Sequence, residues 1–145
     1  MSRGPSGRTR QRRNALRILF EMEMNSSTLV EVLEGKRQVG ESEQGLFTLE
    51  LVKGVRMNMP AIDGVLSEYS KGWEIERMPR VDRNILRMSL YEIFFMEDIP
   101  AGATIDEAVE LAKEFSTEDS GKFINGLLGM VNRDREQGKL VLPIV

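Results

Sequence analysis

Thr104-Ile105-Asp106-Glu107-Ala108-Val109-Glu110-Leu111-Ala112-Lys113-Glu114-Phe115 is the stretch whose reading decides the fold class. Ile105, Ala108, Val109, Ala112 and Phe115 return at steps of three and four and form one apolar stripe, with Asp106, Glu110, Lys113 and Glu114 on the outside. Thr104 and Glu107 fit a capping box, and acidic residues in a first turn suit the positive end of a helix dipole. Phe123, Ile124, Leu127, Leu128 and Val131 repeat the pattern further on. Moving outward, helical spacing holds from Arg10 almost to the C-terminus, and no stretch sustains period-two alternation. The expectation is an all-α chain of about seven helices, at 10–24, 28–35, 43–58, 60–71, 80–96, 104–115 and 118–132. Pro60 and Pro79 suit first helical turns, where a missing N–H costs nothing.

At 145 residues and 41% hydrophobic content the chain is long enough for one domain with a core and too short for two ordinary ones. The expected organisation is a flexible basic arm over 1–9, a single helical domain over 10–135 and an apolar tail over 136–145. The tail, Leu140-Val141-Leu142-Pro143-Ile144-Val145, has the character of a segment that docks on the body or on another copy. Gly126 and Gly129 weaken a helix by about 1 kcal/mol each, so a neighbouring backbone is expected close to them. Arg13-Asn14-Ala15-Leu16-Arg17 echoes Arg83-Asn84-Ile85-Leu86-Arg87, which fits two similar halves of about 70 residues as well as chance.

Composition narrows the function. The chain has no cysteine and no histidine, which removes disulfides, thiolate metal sites and the side chain most used as an acid or base near neutral pH. No metal or cofactor is expected. No apolar run approaches a membrane span and no secretory h-region follows the arginines, so a cytoplasmic protein is expected. The carboxylates are spread along helix exteriors, and none is spaced for acid–base work. The expectation is a binding protein, not an enzyme.

Charge is distributed unevenly. The first twenty residues carry Arg3, Arg8, Arg10, Arg12, Arg13 and Arg17 with no acid before Glu21, a charge of +6; the whole chain is at −3, so the other 125 residues sum to −9. A basic arm on an acidic body points to a polyanionic partner. At about 100° per residue, Arg10, Arg13 and Arg17 fall within about 60° of one another, Ala15, Leu16, Ile18, Leu19 and Met22 lie opposite, and Phe20 sits at the border. Guanidinium groups grip phosphate and an edge ring offers a base a platform. The competing reading is a solvated face with Phe20 in the core. With no zinc spacing and no zipper after the basic region, single-stranded RNA is preferred over duplex DNA.

Two further regions stand out. In Ser116-Thr117-Glu118-Asp119-Ser120-Gly121-Lys122-Phe123, a helix cap competes with an anion site at exposed amides beside Lys122. A phosphate loop and nucleotide hydrolysis are unsupported, since the motif's first glycine and preceding strand are missing. Glu74, Glu76 and Asp82 surround Trp73, with Tyr69 one turn earlier, an acidic and aromatic face fit for a basic protein partner or for the core edge.

Val81-Asp82-Arg83-Asn84-Ile85-Leu86-Arg87, Leu90-Tyr91-Glu92, Asp98-Ile99-Pro100, Thr104 to Lys113 and Ser120-Gly121-Lys122-Phe123-Ile124-Asn125-Gly126-Leu127-Leu128 resemble, in this order, the NusB family of bacterial transcription antitermination factors. The resemblance runs from about Arg12 to Asn132. Its N-terminal half is looser, resting on the arginines with Ala15-Leu16 and Leu19-Phe20, Gly54-Val55, Asn58, Ile62-Asp63, Tyr69 and Trp73. It implies two stacked helical bundles and a binding role: a heterodimer with NusE, a small-subunit ribosomal protein, that holds the boxA element of nascent RNA within the RNA polymerase antitermination complex. By position, Arg8, Arg10, Arg12, Arg13, Arg17, Phe20, Asp119, Lys122 and Phe123 would form the RNA surface. Tyr69 and Asp82 match positions tied to the protein partner and the adjoining RNA edge. Thr9 and Gln11 interrupt the arginine cluster, and Phe20 stands where a tyrosine is common. Two alternatives stay open: the RNA-docking domain of an RNA-cytosine methyltransferase, and a helical interaction module without RNA.

Overall fold

A computed structural model describes residues 7–41 and 44–142. Among them are seven α-helices: α1 (Gly7–Asn25), α2 (Leu29–Gln38), α3 (Leu46–Met57), α4 (Met59–Tyr69), α5 (Arg80–Phe95), α6 (Ala101–Phe115) and α7 (Glu118–Glu136), with a short 3-10 turn, Ile75–Arg77, before α5. The expected count holds, and most ends fall within a turn of expectation. Residues 1–6 of the expected arm and 143–145 of the tail lie outside the described residues, but α1 already begins at Gly7, so Arg8 is helical. Of the tail, Leu142 is buried and Val141 exposed.

The chain divides into two compact units, Met1–Gly54 and Val55–Val145. Each contains one copy of the echo, but the division falls at Gly54, short of the midpoint that equal halves would require. In the first unit α1 packs on α2, with Ala15, Leu16, Ile18, Leu19, Met22 and Val32 buried. The turn between these helices ends in a capping box: the Thr28 N–H donates to Glu31 Oε1 at 2.9 Å and the Glu31 N–H to Thr28 Oγ1 at 3.1 Å.

In the second unit α5 packs against α4, α6 and α7, and residues 82–90 are all buried. A helix enclosed on so many sides draws most of the partners of its polar side chains from within the protein. Arg83 Nη1 donates to the Ile75 carbonyl at 3.0 Å, Ser89 Oγ to the Ile85 carbonyl at 2.9 Å, and Arg87 grips Asp63 of α4 through Nε and Nη2 at 2.8 and 2.9 Å. Glu92, 1% exposed, accepts from Thr104 Oγ1 at 2.8 Å.

That last bond corrects the expected capping box. Helix α6 starts at Ala101 behind Pro100, so Thr104 lies inside it, and its hydroxyl serves a buried carboxylate that would otherwise lack this donor. Pro60 occupies the first turn of α4 as expected, whereas Pro79 is the residue flanking α5.

The glycine expectation is corrected too. A Cβ at Gly126 or Gly129 meets nothing within 4 Å, while one at buried Gly121 meets Val109 and Lys113 of α6 at 3.6 Å. The close approach is therefore at Gly121. With open space and helical backbone at Gly126, Gly126→Ala should stabilise the protein by about 0.5–1 kcal/mol, read as a higher melting temperature.

Candidate nucleic-acid interface

Helix α1 divides its arginines into two sets. On a helix of about 100° per residue, Arg8 and Arg12 lie one turn apart on the side away from Arg10, Arg13 and Arg17. The structure puts a ring beneath that pair: the guanidinium carbons of Arg8 and Arg12 lie 5.3 and 5.2 Å from the centroid of Phe47, in α3. Arg12 is only 4% exposed. Its guanidinium is placed to brace α1 rather than to meet a ligand in solvent. Arg8 shares Phe47 but remains exposed.

Gln11 completes the clamp. Its Oε1 accepts the Thr48 N–H at 3.1 Å, and Thr48 Oγ1 donates to the Gln11 carbonyl at 2.9 Å. The Gln11 side chain occupies the space that a Cβ at residue 45 would fill, so glycine is needed there for this bond to form. A residue that interrupts the arginine cluster in sequence thus ties α1 to α3. Gln11, Thr48 and Phe47 were invisible as site residues in the sequence, whose only hint was the one-turn spacing of Arg8 and Arg12.

On the outer side of α1, Arg10 and Arg17 are exposed, Arg13 is half-buried, and Phe20 is half-buried one turn beyond Arg17. This is the expected border geometry: guanidinium groups on the outer side of the helix beside a ring that keeps part of its surface open. Phe20 is not a fully buried core residue.

In the second unit, the start of α7 is a capped helix. Thr117 Oγ1 accepts the Ser120 N–H at 3.0 Å, and Glu118 and Asp119 fill the first turn. With that amide taken and two carboxylates at the dipole, the cap reading holds over the anion-site reading. Asp119 and Lys122 are exposed; Phe123 is half-buried, its ring edge-to-face with Trp73 at 4.9 Å and 75°. A groove of about 550 Å³ between α6 and α7 is lined by Asp106, Glu110, Lys113, Glu118 and Lys122 among others, three acids against two lysines, with Lys113 already 3.7 Å from Glu110. It is no phosphate pocket. Among the described residues no cluster of three or more His, Cys, Asp or Glu side chains could hold a metal ion, and no helix is long and apolar enough to cross a membrane.

The four candidate protein-partner residues separate as well. Glu74 and Glu76 are exposed, Glu74 lying 3.3 Å from Arg77. Asp82 is 0% exposed; its Oδ2 accepts from Ser120 Oγ at 2.6 Å and its Oδ1 is buried without a hydrogen-bond donor. As placed, Asp82 anchors α7 to α5 and presents nothing to a partner. The Tyr69 hydroxyl donates to Asp134 Oδ2 at 2.6 Å, joining α4 to α7.

That bond, followed by burial and the charges of Asp134 and Glu68, pushes the Tyr69 phenol from 10.0 up to about 12. The folded state holds this proton more tightly than the unfolded chain does, so the contribution to stability is whole below pH 10 and is lost as pH rises through about 12. Tyr69→Phe should abolish a late phenolate absorbance step in an alkaline ultraviolet titration; persistence of that step would assign it elsewhere.

The NusB family profile matches residues 9–133. The transcription antitermination protein NusB of Pseudarthrobacter chlorophenolicus is 44% identical over 128 residues, covering 88% of this chain and 94% of that protein. The chain belongs to the NusB family. A solved structure of T. maritima NusB superposes on this NusB-family chain with a TM-score of 0.77 at 34% identity, covering 93% of this chain and 99% of that one. Antitermination factors NusB and NusE have been solved in complex with dsRNA; the chain matched there gives a TM-score of 0.74 at 23% identity, covering 88% of this chain and 98% of that one, a likeness of fold.

Proposed function

We propose that this NusB-family chain is a transcription antitermination factor that binds boxA-type single-stranded RNA jointly with the ribosomal protein NusE, in the cytoplasm, and promotes read-through by RNA polymerase in ribosomal RNA operons. The observation that carries this reading is the outer face of α1, where Arg10, Arg13 and Arg17 line up beside a half-buried Phe20 while Arg8 and Arg12 hold the helix on Phe47. The names of the relatives support the antitermination role, and the complex of NusB with NusE and dsRNA supports a partnership with RNA and NusE.

The mechanism is binding without catalysis. Guanidinium groups displace condensed counterions from the phosphates, so affinity falls with salt, and ring stacking contributes about 1–3 kcal/mol per base. Asp119, Lys122 and Phe123 supply a second polar and aromatic surface on α7. Glu74 and Glu76 suit a basic partner protein, and the acidic body disfavours indiscriminate RNA capture.

A titration of labelled boxA-type RNA against the full chain, with and without NusE and over a range of salt, tests the reading. Binding is expected to tighten with NusE and to weaken steeply with salt. RNA capture that ignores both would overturn it. The alternatives, a docking domain of a methyltransferase and a protein-only module, have no observation in their favour.

A further inference from the structure

Trp73, the single tryptophan of the chain, lies between α4 and α5, outside the arginine face. The backbone reverses just before it through Lys71 and Gly72, at φ 43° and 80°, a region that glycine enters freely. Buried Ser70 donates its hydroxyl to the Trp73 carbonyl at 2.9 Å. On the other side the Ile75 carbonyl accepts from Arg83 of α5 at 3.0 Å. A loop pinned at both ends leaves the indole only half-buried, against the half-buried ring of Phe123 at 4.9 Å and 75°. Perpendicular rings meet edge on face, so each keeps a face that the other does not cover, and neither residue is fully buried.

The charges nearby select the kind of ligand. Lys71, Arg77 and Lys122 are exposed, and so are Glu74 and Glu76, with Glu74 beside Arg77. A nearly balanced surface offers a phosphate little net attraction, whereas a preordered pair of rings suits a flat, uncharged π system. We propose that Trp73 and Phe123 form a stacking platform for an unpaired nucleobase, with Trp73 a binding residue additional to the arginine face. This rests on the RNA-binding reading above.

Because Trp73 is the only tryptophan, its fluorescence reports this platform alone. The full chain is titrated with a single-stranded boxA-type oligonucleotide, following indole emission and the anisotropy of labelled RNA together, and separately with NusE. Quenching by RNA at the midpoint of the anisotropy curve is expected. Trp73→Ala should weaken RNA binding by about tenfold or more while leaving the salt slope unchanged, since stacking releases no counterions, and Trp73→Phe should recover part of the loss. RNA binding without quenching, together with normal affinity in Trp73→Ala, overturns the platform and leaves the arginine reading standing. Quenching by NusE with no further change on adding RNA overturns it in favour of a protein contact. Failure of the parent chain to bind RNA removes both readings. The quenching arm needs no variant, so misfolding cannot mask the answer.

Discussion

A chain carrying Arg10→Ala and Arg17→Ala is expected to bind boxA-type RNA about a hundredfold more weakly than the parent at low salt, taking about 1.5 kcal/mol for each lost charge-assisted contact. The slope of log affinity against log salt should become shallower by about 1.4, the value for two fewer phosphates on a single strand. Both side chains are exposed, so the melting temperature should stay within about 2 °C of the parent. Arg12→Ala supplies the contrast. Its guanidinium is buried over Phe47, so its removal should lower the melting temperature directly. A double variant with the parental salt slope would remove α1 from the RNA surface.

Arg87→Ala should lower stability by about 3–5 kcal/mol, the largest single effect expected on the fold, seen as a loss of about 10 °C or more in melting temperature. The pair it breaks is bidentate, at 2.8 and 2.9 Å, with Arg87 9% exposed and Asp63 26%. Removing the cation strands a partly buried carboxylate on α4 and opens a void beside α5 at once. Arg87→Lys should recover only part of the loss, because an ammonium cannot reproduce the two parallel bonds. If Arg87→Ala melts within about 1 °C of the parent, the pair contributes no net stability and the buried packing of α5 carries the unit alone.

Sequence and structure agree at most places where the signal is local. The stripe from Ile105 to Phe115, the Thr117 cap and the first-turn proline of α4 all depend on residues within a turn or two of one another. The errors share one cause. Thr104 and Glu107 have capping-box spacing, but a buried Glu92 on another helix takes the hydroxyl. Gly126 and Gly129 read as packing sites, yet the helix that approaches α7 does so at Gly121. Asp82 reads as part of an acidic surface, but Ser120 draws it inside.

The amino-acid order by itself determined seven helices, a chain without histidine or cysteine chemistry, a strongly basic start on an acidic body, and the face shared by Arg10, Arg13, Arg17 and Phe20. Only the tertiary structure decided that Arg12 is buried over Phe47, that Gln11 fastens α1 to Thr48, and that Tyr69 and Asp82 are held by Asp134 and Ser120. Helical periodicity assigns a side chain to a face. Whether that face meets water, a ring or a carboxylate depends on residues far along the chain, which only folding brings within hydrogen-bonding or van der Waals reach.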